Sequence, residues 1–159
     1  MNWRELETAA PEIAQAGAKR LVQTRIALLG TLRQDGSPRI SPIEPYLSQG
    51  YLLFGAMSWS LKTSDLRRDP RCMLHSAITG PDSGEGELKL SGHAIEADDE
   101  IRNSCQGGWW LRQPAESAIV FAVDIEEAAF VSWDTEAGLM TVRRWPSRRG
   151  RAVTQRRYP

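Results

Sequence analysis

A small, mainly β domain, its strands curled into a barrel and flanked by a few helices, is the fold class this sequence predicts. Three observations predict it. Eight short apolar runs separated by turn signals follow one another from Ile26 onward. Helical spacing is confined to the first two dozen residues and to two short later segments. The chain of 159 residues reads as a single domain over 1–159, long enough to bury about two-thirds of its unfolded surface, and neither an internal repeat nor a low-complexity linker divides it.

In chain order, Asn2 followed three residues later by Glu5 is a capping-box pattern, and Trp3, Leu6, Ala10, Ile13, Gly17 and Leu21 recur at helical spacing. Pro11 breaks one long helix but suits the first turn of another, so two helices are expected, Trp3 to about Ala9 and Pro11 to about Gln23. Ile26–Leu32 is a buried strand, and Asp35-Gly36 turns the chain into a second strand from Pro38 to Tyr46. Pro42 and Pro45 have no N–H for a ladder, which puts that strand on an edge, at a bulge or beside a ligand.

Tyr51–Ala56 is the third strand, and its small residues Gly55 and Ala56 leave room for a flat ligand. A helix from Leu61 to Arg68 follows Ser58-Trp59-Ser60 and stops at Asp69-Pro70. Arg71–Thr79 and Glu87–Ala97 are strands, the latter irregular at Gly92, with a loop from Gly80 to Gly86 between them. A short helix capped by Asp98 or Asp99 runs to Cys105, and Gly107-Gly108-Trp109-Trp110 forms a loop that either walls a pocket or packs in the core. Ser117–Ile125, Ala129–Trp133 and Leu139–Arg144 complete the strands, and a polar C-terminal tail covers about 145–159.

Twenty basic and twenty acidic residues cancel, which argues against a protein that coats nucleic acid. The balance is uneven along the chain, since Arg143 to Arg157 holds seven arginines and no acid. Cys72 and Cys105 share no metal-ligand spacing with His75 or His93, so no metal site is expected, and two free thiols suit a reducing cytoplasm. The sequence has no run of apolar residues of membrane-spanning length and no leader pattern, which makes a cytoplasmic protein without a membrane partner the expectation.

One group of residues points to an anion. Arg39 and Ser41 lie on one strand, and Ser58, Ser60 and Lys62 gather at the next strand-to-helix junction. A phosphate monoester needs cations, hydroxyls and free amides at one place, and a helix start supplies the amides. The competing reading is plain: Ser60 as a helix cap, Lys62 solvated, Arg39 paired with a carboxylate.

The order Asp35-Gly36-Ser37-Pro38-Arg39-Ile40-Ser41-Pro42, Gly50 to Phe54, Ser60-Leu61-Lys62 and Asp65 to Arg71 resembles the pyridoxamine 5′-phosphate oxidase-like family of FMN-binding split barrels, which includes flavin and deazaflavin reductases. The resemblance covers Ile26 to Ile78 and extends to Glu87–Ala97. It implies a homodimer of split β-barrels with FMN at the subunit interface. Arg39, Ile40 and Ser41 would line the flavin, Gly55, Ala56 and Met57 would pass beside its ring and ribityl chain, and Ser60 and Lys62 would hold its phosphate. Trp133 would reach the flavin from the partner. The Arg-x-His signature of the true oxidases is missing after Leu139, so oxidation of vitamin B6 is not implied. The implied activity is flavin-dependent oxidoreduction of a small molecule, with a deazaflavin (F420) reductase or a non-catalytic flavin or haem binder as alternatives.

Overall fold

The computed structural model describes residues 1–78, 80, 85–105, 107–148 and 151–157. The expected two N-terminal helices form as α1 (Trp3–Ala9) and α2 (Pro11–Thr24). Asn2 and Glu5 close the capping box at the start of α1, and Pro11 opens α2. Their buried residues, Trp3, Leu6, Ile13 and Leu21 among them, pack on one face of the sheet.

Among the described residues nine strands make the sheet: β1 (Ala27–Leu32), β2 (Pro38–Ile43), β3 (Pro45–Ser48), β4 (Tyr51–Met57), β5 (Arg71–Ser76), β6 (Glu87–Glu96), β7 (Ala118–Asp134), β8 (Leu139–Arg148) and β9 (Arg151–Arg157). Two further helices, α3 (Leu61–Arg68) and α4 (Asp99–Ser104), and a 3-10 turn (Trp109–Arg112) complete it. The strand order is β2-β1-β5-β6-β7-β4-β3, all antiparallel, and β8 joins β7 and carries β9.

The spine is β7, 17 residues long. One of its edges pairs with β6 from Phe121 to Val131, and the other pairs first with β4 and then with β8. Two strands expected here, Ser117–Ile125 and Ala129–Trp133, are therefore one. Residues 126–128, which separate the two expected strands, continue β7 through a bulge, where β6 shifts register between Ser91 and Gly92. Gly92 lies against the Asp124 carbonyl, where a Cβ would not fit, which explains the glycine.

Two more expectations change. The strand Pro38–Tyr46 divides at Glu44 into β2 and β3, which lie at opposite ends of the strand order, so each proline sits on an edge strand. The basic segment 145–159 is not a loose tail: its described part extends β8 and forms β9, paired with β8 from Leu139 to Arg143. The strand from Arg71 ends at Ser76; Thr79 and most of the loop from Gly80 to Gly86 lie outside the described residues. Among the described residues no helix is long and apolar enough to cross a membrane.

The core has two parts. The larger lies between the sheet and α1 and α2. The smaller gathers Leu53, Cys105, Trp110, Ala118 and Val120 on the other side of β4. With both of its faces covered, β4 is buried from Leu52 to Ala56.

Candidate functional site

The strongest polar cluster lies where α3 meets β1 and β2. Strand register places Arg39 opposite Thr31, with Ser41 on the same side of β2. Arg39 Nε donates to Asp65 Oδ2 at 2.6 Å, and Thr31 Oγ1 donates to the same oxygen at 3.0 Å. Arg68 Nη2 stands 3.5 Å from the other carboxylate oxygen. Asp65 is 3% exposed. Burial raises its pKa, but the hydrogen bonds from Arg39 and Thr31 and the charges of Arg39 and Arg68 outweigh that, so the net shift is downward and the carboxylate stays ionised.

Asp65 thus rivets α3 to β2 and fixes the guanidinium of Arg39 by its Nε edge. Among the described residues, the terminal nitrogens of Arg39 have no hydrogen bond, so that end of the fork is available. At the start of α3, Ser60 is the cap: its Oγ lies 3.4 Å from the Thr63 N–H and 2.9 Å from Thr63 Oγ1. Thr63 Oγ1 in turn donates to the Met57 carbonyl at 2.9 Å, fixing the turn from β4 into α3. The N–H groups of Leu61 and Lys62 have no acceptor among the described residues, and half-buried Lys62 forms no ion pair there. Ser60, Lys62 and Asp65 therefore stand on or at the start of one short helix, and Asp65 links that helix to Arg39.

The other expected residues are distributed differently. Ile40 points to the opposite side of β2 from Arg39 and is 71% exposed. Gly55 and Ala56 do not leave joint room for a flat ligand, because alternation sends them to opposite faces of β4. Ala56 enters the main core, and a Cβ built on Gly55 would lie 2.6 Å from Trp110 Cε3 and 3.0 Å from Trp109 Cζ2. The chain's own indoles fill the space, so Trp110 is core and Trp109 packs against it. Pairing of β4 with β3 ends at Phe54, which leaves one backbone edge of Gly55, Ala56 and Met57 without a strand partner among the described residues. Trp133 lies near the far end of β7 opposite Met140, while Met57 faces Ala118 at the near end, so one protomer does not bring Trp133 to the anion corner.

Asp65 is the residue that sequence reasoning missed as part of the cluster. Its signal was Asp three residues after Lys62 within a short helix, a position that places both on one side. The remaining singled-out groups have structural roles. Burial pushes the Cys72 thiol up to about 12 and raises that of Cys105, which favours the protonated thiol at both. His75 Nδ1 donates to the Ser76 carbonyl at 2.7 Å while Nε2 faces Glu87 at 3.1 Å; His93 stands 3.4 Å from Glu126. Among the described residues no group of His, Cys, Asp and Glu could hold a metal.

Solved structures share this architecture. PhzG from Burkholderia lata 383, in complex with tetrahydrophenazine-1-carboxylic acid, superposes with a TM-score of 0.62 at 13% identity over 98% of this chain and 92% of its own. A pyridoxinephosphate oxidase family protein from Clostridium acetobutylicum, related to general stress protein 26, gives 0.60 at 13% over 77% and 89%. The chain has the split-barrel fold of the pyridoxamine 5′-phosphate oxidase family. A third split barrel, a heme binding protein from Mycobacterium smegmatis, gives 0.61 at 16% over 89% of this chain, which spans 57% of that protein. No family model and no curated protein matches the sequence.

Proposed function

We propose that the chain is one protomer of a homodimeric, FMN-binding oxidoreductase acting on a small molecule in the cytoplasm. The observation that carries this reading is the corner at which Asp65 ties Arg39 to the helix that begins with Ser60 and carries Lys62. Two positive side chains and two free amides fit a phosphate monoester, and among the described residues no acid other than Asp65 takes part in that network. Ser60 shapes the helix start, and Asp65 keeps the open end of Arg39 turned outward. The unpartnered backbone edge of Gly55, Ala56 and Met57 continues from this corner along the path that a ribityl chain and ring would take.

A second copy supplies what one protomer lacks. The outer side of β1, β2 and β5 exposes Leu28 (42%), Ile40 (71%) and Met73 (50%), an apolar face suited to burial against a partner. Trp133 would then close the flavin site from the other subunit. FMN, when bound, supplies hydride and electron transfer, while the protein contributes anchoring and charge.

Titration with FMN, followed by flavin fluorescence, tests the reading. Saturable binding is expected, and Arg39→Ala combined with Lys62→Ala should weaken it at least about tenfold, the loss of one or more charge-assisted contacts. An unchanged affinity in the folded double variant would rule the corner out. F420 is the second reading, favoured by exposed Arg156 and Arg157 on β9, which could hold a longer anionic tail. Replacing both with alanine should then spare FMN but weaken F420. A non-catalytic flavin or haem carrier would bind its cofactor yet show no turnover with nicotinamide donors.

A further inference from the structure

We infer that the free edge of β3 captures the carboxyl-terminal end of an extended peptide, which adds to the sheet as an antiparallel strand and places its terminal carboxylate on Arg25. The site is a cleft of about 560 Å³ with Leu21, Val22, Arg25 and Ile26 on one wall and residues 44–47 on the other. Pro45, Tyr46 and Leu47 send their side chains to alternate faces of β3, so a cleft that touches all three lies along the strand's edge. Among the described residues β3 pairs only with β4, which leaves that edge without a partner. The cleft shares no residue with the corner at Arg39 and Lys62, and the inference stands apart from the flavin reading.

The turn after β3 fixes which backbone groups face the cleft. Gln49 and Gly50 have φ of 52° and 85°, the pattern of a two-residue type I′ hairpin, so Ser48 and Tyr51 are its hydrogen-bonded closing pair. Alternation along the antiparallel ladder then turns the backbone groups of Ser48 and Tyr46 toward β4 and those of Leu47 outward, together with the Pro45 carbonyl. Among the described residues neither the N–H nor the C=O of Leu47 has a hydrogen bond. Pro45 brings no N–H, and the edge therefore offers one donor and two acceptors. A peptide running opposite to β3 meets them in register: one residue exchanges both backbone bonds with Leu47, and the residue two further on donates its N–H to the Pro45 carbonyl.

Charge selects the chain end. Ala27 pairs with Ile43, so the residues just before β1, Arg25 and Ile26, come up to the Pro45 end of the edge. Pro45 cannot donate to the carbonyl of a residue opposite it, whereas a terminal carboxylate there turns to the guanidinium instead. Arg25 is exposed and forms no ion pair among the described residues. It is the left-handed cap of α2, and its N–H holds the Leu21 carbonyl at 2.9 Å while Thr24 Oγ1 donates to the Arg20 carbonyl at 3.0 Å, so neither carbonyl competes for the guanidinium. Glu44, the acid in the lining, accepts from the Tyr46 phenol at 3.4 Å, and Tyr46 packs on the smaller core whereas Leu47 packs on the main one. That bond keeps the Glu44 carboxylate on the Tyr46 face of the strand. Val22, 69% exposed, and Ile26, 38% exposed, join buried Leu21 as an apolar wall for the side chain of the terminal residue.

The test is fluorescence anisotropy of the intact protein with the peptide Gly-Ser-Gly-Val-Ser-Val, dye-labelled at its amino end. It is compared with the same peptide as a carboxyl-terminal amide and with a form N-methylated at the first valine, the residue placed opposite Leu47. Saturable binding of the free acid is expected, with the amide and the N-methylated form each at least about tenfold weaker. Arg25→Gln should lower affinity for the acid to that for the amide, and Arg25→Lys should restore part of the loss. The Arg39→Ala, Lys62→Ala variant should bind the peptide within about twofold of the parent protein, since those residues lie outside the cleft. No binding of the acid, equal affinity for acid and amide, or an unaffected Arg25→Gln variant would each overturn the site. Undiminished binding of the N-methylated peptide would overturn strand addition. The ratios among the three peptides on the unaltered protein decide the matter even if a variant misfolds.

Discussion

Two neighbouring corners around β4 and the helix that follows it use small and polar residues in opposite ways. At Gly55 the missing side chain makes room that Trp110 and Trp109 occupy, and the result is a sealed secondary core. At the start of α3 the Ser60 cap and the Asp65 carboxylate order the backbone but leave Lys62, two amides and one end of Arg39 without a partner among the described residues. The gap beside Gly55 is filled by the chain's own indoles, whereas Lys62 and the outer end of Arg39 have no partner among the described residues, since positive groups cannot neutralise one another. The comparison teaches that smallness marks close approach but does not say by whom.

The largest effect should come from emptying the sealed corner. Trp110→Ala leaves a cavity where a fully buried indole packed, at a cost of about 3–5 kcal/mol, read as a lower midpoint in denaturant unfolding. If that loss came with an unchanged FMN affinity in the folded fraction, the two corners would be independent.

Next comes Asp65→Asn, which leaves the guanidinium of Arg39 without its carboxylate at a largely buried position. A cost of about 2–4 kcal/mol at neutral pH is expected, discounted from a fully buried pair because the Arg39 side chain is 20% exposed. The pH dependence has a definite sign. The folded pKa of Asp65 lies below its unfolded value, so its contribution is complete above the unfolded pKa of about 3.9 and is lost as pH falls through the folded one. Unfolding free energy measured from pH 5 downward should fall more steeply in the parent protein than in Asp65→Asn. Parallel curves would deny the carboxylate its role.

The smallest effect should be Ser60→Ala, about 0.5–2 kcal/mol for a lost cap, seen in the same unfolding assay. A drop in FMN affinity beyond about threefold in this variant would mean that the hydroxyl touches the ligand as well, and would sharpen the contrast between ordering and binding groups.

Much of the fold was legible because its signals are local. The capping box at Asn2, the Pro11 start, the Asp35-Gly36 turn and the Gly92 irregularity each specify backbone geometry within a few residues. The errors came where long-range pairing overrode local chemistry. Ser117–Ile125 and Ala129–Trp133 were expected as two strands yet are one, because β6 holds β7 through the bulge. The arginines after Trp145 looked like a solvated tail, yet β9 pairs with β8. In the candidate site, Arg39, Ser60 and Lys62 could be named from residue type and order. Asp65 was hidden because its partners Thr31 and Arg39 stand 34 and 26 residues away.

By itself the sequence determined the helices and their starts, the tight turns and the residue types able to hold an anion, since these follow from hydrogen-bonding capacity and side-chain shape over a few residues. Only the tertiary structure decided that the room beside Gly55 belongs to Trp110, that Asp65 fixes Arg39, and that Arg25 and Leu47 border one cleft. Each of those depends on which strands lie side by side, and that is settled by burial and register across the whole sheet.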